Sequence, residues 1–336
     1  VLAGLVALAL AVGALIRLPY FVLSPGEATP VEPLIHVQGA QSYQHNGSIL
    51  FTTVSLAGDI NAYAFVHGWL NHNDDVVSRD AITGGTPTKT YNAENVQAMT
   101  DSKTAATKVA LERLGYKVPA KGDGALVVDV TAKGPSDGKL QIGDDITAVG
   151  GAPVMFDDQV VSAVHGHKPG DVITFAVSRG SQTLTVPVTA GDDGKGGARI
   201  GVALQTKNLQ YDFPVQVTID TGKVSGPSAG LAFTLAILDD LSAGNLTGGK
   251  KVAVTGTIDV NGNVGPVGGV VQKTAAARQA GAVAFLVPPD EEKDAKAHAG
   301  PMKIMVVKTV DDALSALQQL GGSAPTPAKA AAPAPH

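Results

Sequence analysis

The chain has 336 residues, 44% hydrophobic but only 4% aromatic, with 40 glycines and 20 prolines, a length that accommodates two or three domains with real cores. A formal net charge of −5 leaves no basic footprint for nucleic acid, and the absence of cysteine removes disulfides, thiolate metal sites and cysteine nucleophiles together. A thiol-free composition also suits a protein that works outside the cytoplasm.

The chain opens on VLAGLVALALAVGALI, sixteen residues without a charge, followed by Arg17 and the apolar LPYFVL. The run is a little short of the ~20 residues of a full membrane span. With no Ala-x-Ala-like cleavage site behind it, residues 1–23 read as a transmembrane signal-anchor; a cleaved signal peptide and a buried core helix are the alternatives. Tyr20 and Phe21 suit a membrane–water interface. Either membrane reading puts the bulk of the chain outside the cytoplasm. SPGEATP, residues 24–30, then reads as a Pro/Gly break, and GSILFTTVSL, residues 47–56, as a strand. Residues 57–93 are mixed and turn-rich. Residues 94–114 have helical composition and Gly115 is their stop. Ser102 and Lys103 are neighbours within that helix, so they point to different faces and are no catalytic pair.

A second unit spans residues 124–190. GALVVDV is a strand, ITAV a second one ending at Gly150-Gly151, DDQVVSAVHGH a short helix, and DVITFAVSRGSQTLTVPV two strands joined at Arg179-Gly180-Ser181. This order, and LQIGDDITAVGGAPV above all, resembles a bacterial-type PDZ domain. The resemblance implies an extended peptide ligand added to a sheet edge. Leu114-Gly115-Tyr116 is the candidate loop for a ligand carboxylate. Ser136, in KGPSDG, falls in a connection of that unit, where Gly, Ser and Pro serve the turn. GDDGKGG, residues 191–197, reads as a flexible joint.

Residues 198–320 alternate strand and helix signals. FPVQVTID, KVAV, AVAFLVPP and MKIMVVK read as strands, with a hairpin-type turn at Asn261-Gly262. SAGLAFTLAILDDLS, VVQKTAAARQAG and DDALSALQQL read as helices. The Pro/Ala-rich tail, residues 321–336, reads as disordered.

VSGPSAG, residues 224–230, sets Ser228 between glycines just ahead of an apolar helix. The pattern matches the G-x-S-x-G of a nucleophile elbow, but the polar TGKVS separates it from the preceding strand. Ser228, Asp259 and His298 have the chain order of a hydrolase triad, with His298 in the charged DEEKDAKAHAG. A serine is also activated by a neutral lysine, which requires burial to lower a pKa that starts near ~10.4. Lys273 lies in apolar, small-residue surroundings beside Val270, Ala276 and Ala277, whereas Lys250 and Lys251 sit together as exposed like charges. Ser228 immediately precedes a helix, so free N–H groups, those of Ser228 and Ala229 among them, are candidate oxyanion donors; Gly226 and Gly230 admit a substrate backbone.

SGPSAG followed by VAVTGTIDVNGNVGPVGGVVQKTAAARQAG resembles the proteolytic domain of the Lon-type peptidases over roughly residues 198–310. That resemblance implies Ser228 as nucleophile, Lys273, 45 residues on, as its base, and Thr255 as a residue that orients the lysine. Ser225 stands where many relatives carry Asp, and Thr257 where they carry Glu after Thr-Gly. Gly244–Lys251 imitates a P-loop but ends in Lys where a hydroxyl is needed, so no nucleotide is implied. No histidines have H-E-x-x-H spacing, and His165 and His167 flank a glycine in a loop-like segment, so neither metal nor cofactor is implied. Anchor, PDZ and Lon-like peptidase in this order resemble the membrane-anchored, ATP-independent Lon-like proteases.

The expectation is an α+β protein with five parts: a transmembrane anchor (1–23), an N-terminal α/β region that belongs to the protease fold (24–118), a PDZ domain (119–192), a Lon-like proteolytic domain (193–320) and a tail (321–336). Its implied activity is that of an ATP-independent serine endopeptidase with a Ser228–Lys273 dyad, acting on extracytoplasmic peptides or proteins selected by the PDZ domain. The alternatives are a PDZ adaptor with an inactive protease fold and a Ser-Asp-His hydrolase.

Overall fold

A computed structural model describes residues 13–326. In chain order the elements that position the site are β1 (Tyr20–Pro30), β2 (Ile35–Gln38), β3 (Ser48–Gly58), α1 (Ala62–Leu70), β4 (Asp75–Ser78) and α2 (Thr88–Arg113). There follow β5 (Ala125–Val130), β6 (Asp145–Val149), α3 (Asp157–His165), β7 (Val172–Arg179), β8 (Gln182–Thr189) and β9 (Val202–Thr206). The last set is β10 (Gln216–Ile219), α4 (Gly230–Asp240), β11 (Lys251–Val254), β12 (Thr257–Ile258), β13 (Val264–Gly265), α5 (Val270–Gln279), β14 (Ala284–Val287), α6 (Glu292–His298), β15 (Lys303–Val306) and α7 (Val310–Gln319).

The described residues divide into two compact units, 13–117 with 214–326, and 118–213. The first is built on a six-stranded sheet in the order β15-β14-β11-β3-β1-β4. Strands β3, β11, β14 and β15 run parallel, with Lys251 opposite Ser48 and Val252 opposite Ala284, while β1 and β4 close the sheet antiparallel. A strand from before the second unit is thereby hydrogen-bonded to one from after it, and β2 pairs with β10 in the same way. Alternation along a strand sends successive side chains to opposite faces. Leu50, Ala253 and Phe285 pack with Val270 and Ala277 of α5, whereas Phe51 meets Phe233 of α4 at 6.0 Å between ring centroids. The two helices therefore cover opposite faces of the sheet, and every residue of α4 from Gly230 to Asp239 is buried.

The second unit carries a sheet in the order β8-β7-β6-β5-β9 over its own core of Val127, Ile146, Val160, Phe175 and Val188. The Gly-Asp of LQIGDD has a structural role there, since buried Asp144 takes a two-pronged hydrogen bond from Arg179, 2.7 Å on each side. Because β9 pairs with β5, this unit runs on to Phe213, well past GDDGKGG, whose residues turn a small hairpin between Gly191–Asp192 and Ala198–Arg199.

Several sequence expectations change. Most of the expected anchor, residues 1–12, lies outside the described residues, but its last four, Tyr20–Leu23, open β1, with Phe21 and Val22 in the core. Among the described residues no helix is long and apolar enough to cross a membrane. SPGEATP does not break the chain: β1 passes through it with a bulge between Pro25 and Ala28, where Thr53 Oγ1 takes the Glu27 N–H at 2.9 Å. Leu114-Gly115-Tyr116 closes α2 in the first unit, the Tyr116 N–H returning to the Leu111 carbonyl at 3.0 Å, so it lies outside the second unit and its sheet. Of the tail, residues 327–336 lie outside the described residues, while Ser323 and Thr326 are hydrogen-bonded to Asn245 and Ser242.

Candidate active site

Ser228 occupies a single 3-10 turn, Pro227–Ala229, that leads straight into α4. Two residues of α2 hold the turn: the Asn95 carbonyl accepts from the Gly226 N–H at 3.0 Å, and Ser102 Oγ donates to the Pro227 carbonyl at 3.0 Å. Gly226 adopts φ +92°, where a side chain is strained. Gly230 has no space for one, because a Cβ would stand 2.6 Å from Ser102 Oγ and 2.7 Å from Ile258 Cγ2. Ser228 is partly exposed while Ala229 and Gly230 are buried, so the serine sits where the turn meets the surface. The first N–H groups of a helix have no intrahelical acceptor, which keeps the amides around Ser228 and Ala229 suited to a developing oxyanion.

Lys273 comes from the other face of the sheet, as the fourth residue of α5. It is 3% exposed, on a stretch where Gln272, Thr274, Ala275, Ala276 and Ala277 are buried as well. Desolvation pushes its pKa down to about 8, and the neighbouring Glu291 carboxylate opposes that shift. Thr255, fully buried at the end of β11, joins the two sides. Its hydroxyl accepts from Lys273 Nζ at 3.3 Å and donates to the Ser228 carbonyl at 3.2 Å, a use of one donor and one lone pair that a threonine supplies. The same carbonyl accepts from the Gly256 N–H at 3.0 Å. Lys273 thus reaches the Ser228 main chain through Thr255. The site lies just beyond the C-terminal end of β11, where helices from both faces converge, the usual place for ligands in open sheets with parallel strands.

Sequence reasoning did not find Ser102, Asn95 or Glu291. Glu291 is 6% exposed; its Oε1 accepts from the Val267 N–H at 2.8 Å, in the loop that leads into α5, and its Oε2 is buried without a partner. The residues of the alternative readings are engaged elsewhere. Asp259 holds its own turn through the Asn261 and Asn263 N–H groups and Asn263 Nδ2. His298 Nδ1 lies 2.9 Å from the Asp294 carbonyl, within its own helix. Ser136 is fully buried and donates to the Ile200 carbonyl at 2.7 Å, a structural turn. Lys250 caps the Leu320 carbonyl, so Gly244–Lys251 is a tied loop of the first unit. Among the described residues no three His, Asp or Glu side chains are grouped to hold a metal ion.

Comparison with known proteins bears on both units. Residues 112–189 match the PDZ domain family, and residues 198–319 match the Lon protease (S16) C-terminal proteolytic domain. Lon protease 2 of Bacillus subtilis is 31% identical over 115 residues, which cover 34% of this chain and 20% of that protein. Lon protease of Halothermothrix orenii is 33% identical over 138 residues, 37% of this chain and 17% of that protein. For Lon protease of Azospirillum brasilense the figures are 37% over 107 residues, 31% and 13%. The match therefore spans a fifth or less of these relatives. Among solved structures, the PDZ domain of the SdrC-like protein from Listeria monocytogenes is 26% identical, covering 24% of this chain and 87% of that one at a TM-score of 0.24. The chain carries a PDZ domain and a Lon-type C-terminal proteolytic domain, the peptidase domain of that family.

Proposed function

We propose that the chain is an ATP-independent serine endopeptidase that uses Ser228 as nucleophile and Lys273 as general base. The observation that carries this reading is the buried Lys273, its pKa lowered to about 8 and its Nζ tied through Thr255 to the Ser228 carbonyl. Neutral Nζ takes the proton of Ser228 Oγ as Oγ bonds to the scissile carbonyl carbon. The carbonyl oxygen becomes an oxyanion at the α4 N-terminus. The resulting ammonium then protonates the departing amine as the C–N bond breaks. Water, deprotonated in turn by Lys273, hydrolyses the acyl-enzyme ester and restores both residues.

The PDZ unit would select the substrate as an extended segment. β9 is an edge strand paired on one side only, to β5, and α3 packs beside it, which supports strand addition in that groove. Independence of ATP is supported by the departure of Gly244–Lys251 from the P-loop pattern. A membrane tether with the catalytic unit outside the cytoplasm is supported by the uncharged run of residues 1–16.

The test is cleavage of denatured protein and peptide libraries. Ser228→Ala and Lys273→Ala are expected to lose at least ~10³-fold in rate with the fold retained, and added ATP to change nothing. Cleavage that survives either substitution overturns the dyad. Loss on His298→Ala restores the triad, and tight peptide binding without cleavage identifies an adaptor.

A further inference from the structure

Helix α1 has two different sides. Its inner side packs on the sheet: Phe65 meets Tyr20 edge-on at 5.1 Å, and Gly68 lies so close to Val22 and Val76 that a Cβ would come within 3.1 Å of each. Its outer side carries Tyr63, Val66 and Leu70 at i, i+3 and i+7, exposed by 42%, 51% and 71%, with Trp69 on the rim at 74%. The sequence AYAFVHGWL contains no Asp, Glu, Lys or Arg. Isolated exposed apolar side chains are ordinary, but an uncharged helix presenting four of them together is not.

The uncharged N-terminal run arrives at the same place. Gly13–Leu15 are helical, with the Tyr63 ring against Gly13, where a Cβ would stand 3.5 Å from the ring. Leu15 and Ile16 are 79% and 47% exposed. Arg17 then bridges to Asn61, the N-cap of α1, and the Leu18 N–H reaches the Ile60 carbonyl at 2.8 Å. Two apolar surfaces, the end of the run and the outer side of α1, are therefore continuous. Trp and Tyr favour the level of lipid headgroups, where one end of the ring is apolar and the other wet. A second copy of the chain is a poorer occupant, since a helix of nine residues offers far less than the ~800 Å² per partner of a stable dimer.

We propose that α1 lies in the plane of a lipid bilayer, with Val66, Trp69 and Leu70 in the headgroup–acyl boundary and Tyr63 beside the incoming N-terminal run. This rests on the membrane tether proposed above. The segment after α1 is itself fixed to the sheet unit, since buried Gln272 of α5 donates through Nε2 to Asp75 Oδ2 at 2.8 Å and to the Asn73 carbonyl at 3.3 Å.

Trp69 is the only tryptophan of the chain, so its fluorescence reports α1 alone. The full chain is reconstituted into phosphatidylcholine vesicles, with ordinary or brominated acyl chains, and floated. The expected result is co-flotation, blue-shifted Trp69 emission, quenching by the brominated lipid and several-fold protection from aqueous iodide. Val66→Glu/Leu70→Glu, two exposed positions remote from Ser228, is expected to float equally and to cleave a soluble peptide at the wild-type rate, but to expose Trp69 to iodide. Floating wild type whose Trp69 is open to iodide and unquenched by brominated lipid overturns the α1 proposal and leaves the tether intact. Protection from iodide without quenching by brominated lipid identifies a protein surface over α1 and overturns it too. Failure to float overturns the tether, and α1 docking with it.

Discussion

A lysine is a base only when neutral, and the burial that shifts Lys273 toward the neutral form also costs stability. With a pKa of about 8, roughly a tenth of the side chain is neutral at pH 7. Under the dyad mechanism kcat/KM rises about tenfold per pH unit below that value and levels off above it, and a flat profile from pH 6 to 9 would refute Lys273 as base. Glu291 favours the ammonium, so Glu291→Gln, which keeps the Oε1 acceptor for Val267, is expected to move the acid limb to lower pH; an unmoved limb removes Glu291 from the site. For stability the sign follows from the lowered pKa: between about 8 and the ordinary 10.5 the unfolded chain binds more protons, so stability rises with pH across that window. Lys273→Met is accordingly expected to raise the unfolding free energy at pH 7 by on the order of 1–3 kcal/mol, a gain that fades above pH 10 and is read from urea melts at several pH values. Ser228, Lys273 and Thr255 were singled out in the sequence by family motifs. Glu291 was not, because DEEKD has the composition of a solvated surface run and only the fold shows one of its carboxylates turned inward.

Between elements, the decisive contact is α2 against the turn that carries Ser228. Ser102 and Lys103 do point to different faces of their helix, and Ser102 serves the site by holding the Pro227 carbonyl rather than by pairing with its neighbour. Gly230→Ala pushes a methyl group into Ser102 Oγ and Ile258 Cγ2 at once, and Ile258 belongs to the packed interior. Overpacking of this kind costs about 1–3 kcal/mol, and here it displaces the residue two positions before it, Ser228. The variant is expected to melt earlier and to lose turnover more than affinity, measured as kcat against KM on one peptide; an unchanged kcat would show that the turn absorbs the methyl group. Helices with one polar face were legible in outline, α2 only from residue 94 although it starts at Thr88. Helix α1 was missed because it has no polar face to set a period, and its one clear signal was the Asn61 cap, which accepts from the Ala64 N–H. The passage of β1 through Pro25-Gly26 was hidden for a related reason: a bulge uses the residues that elsewhere end a strand.

For the whole molecule, the 118–213 unit interrupts the protease unit in sequence, and what allows this is the closeness of its ends. Ala120–Lys121 pairs with Gln210–Tyr211, and the Asp212 N–H donates to the Pro119 carbonyl at 2.9 Å, so the chain enters and leaves side by side, about 5 Å apart. Each unit has its own core. Replacing residues 118–213 by a short Gly-Ser linker from Lys117 to Pro214 therefore leaves β3 free to pair with β11 and α2 free to hold the Ser228 turn. The shortened chain is expected to keep kcat/KM on a short unstructured peptide within about threefold of the full chain, and to lose about tenfold or more on long substrates whose selection depends on strand addition at β9. Equal losses on both substrates with the remaining unit folded, checked by circular dichroism and a single urea transition, would mean that the PDZ unit completes the catalytic site instead of delivering to it. No loss on either would remove it from substrate selection.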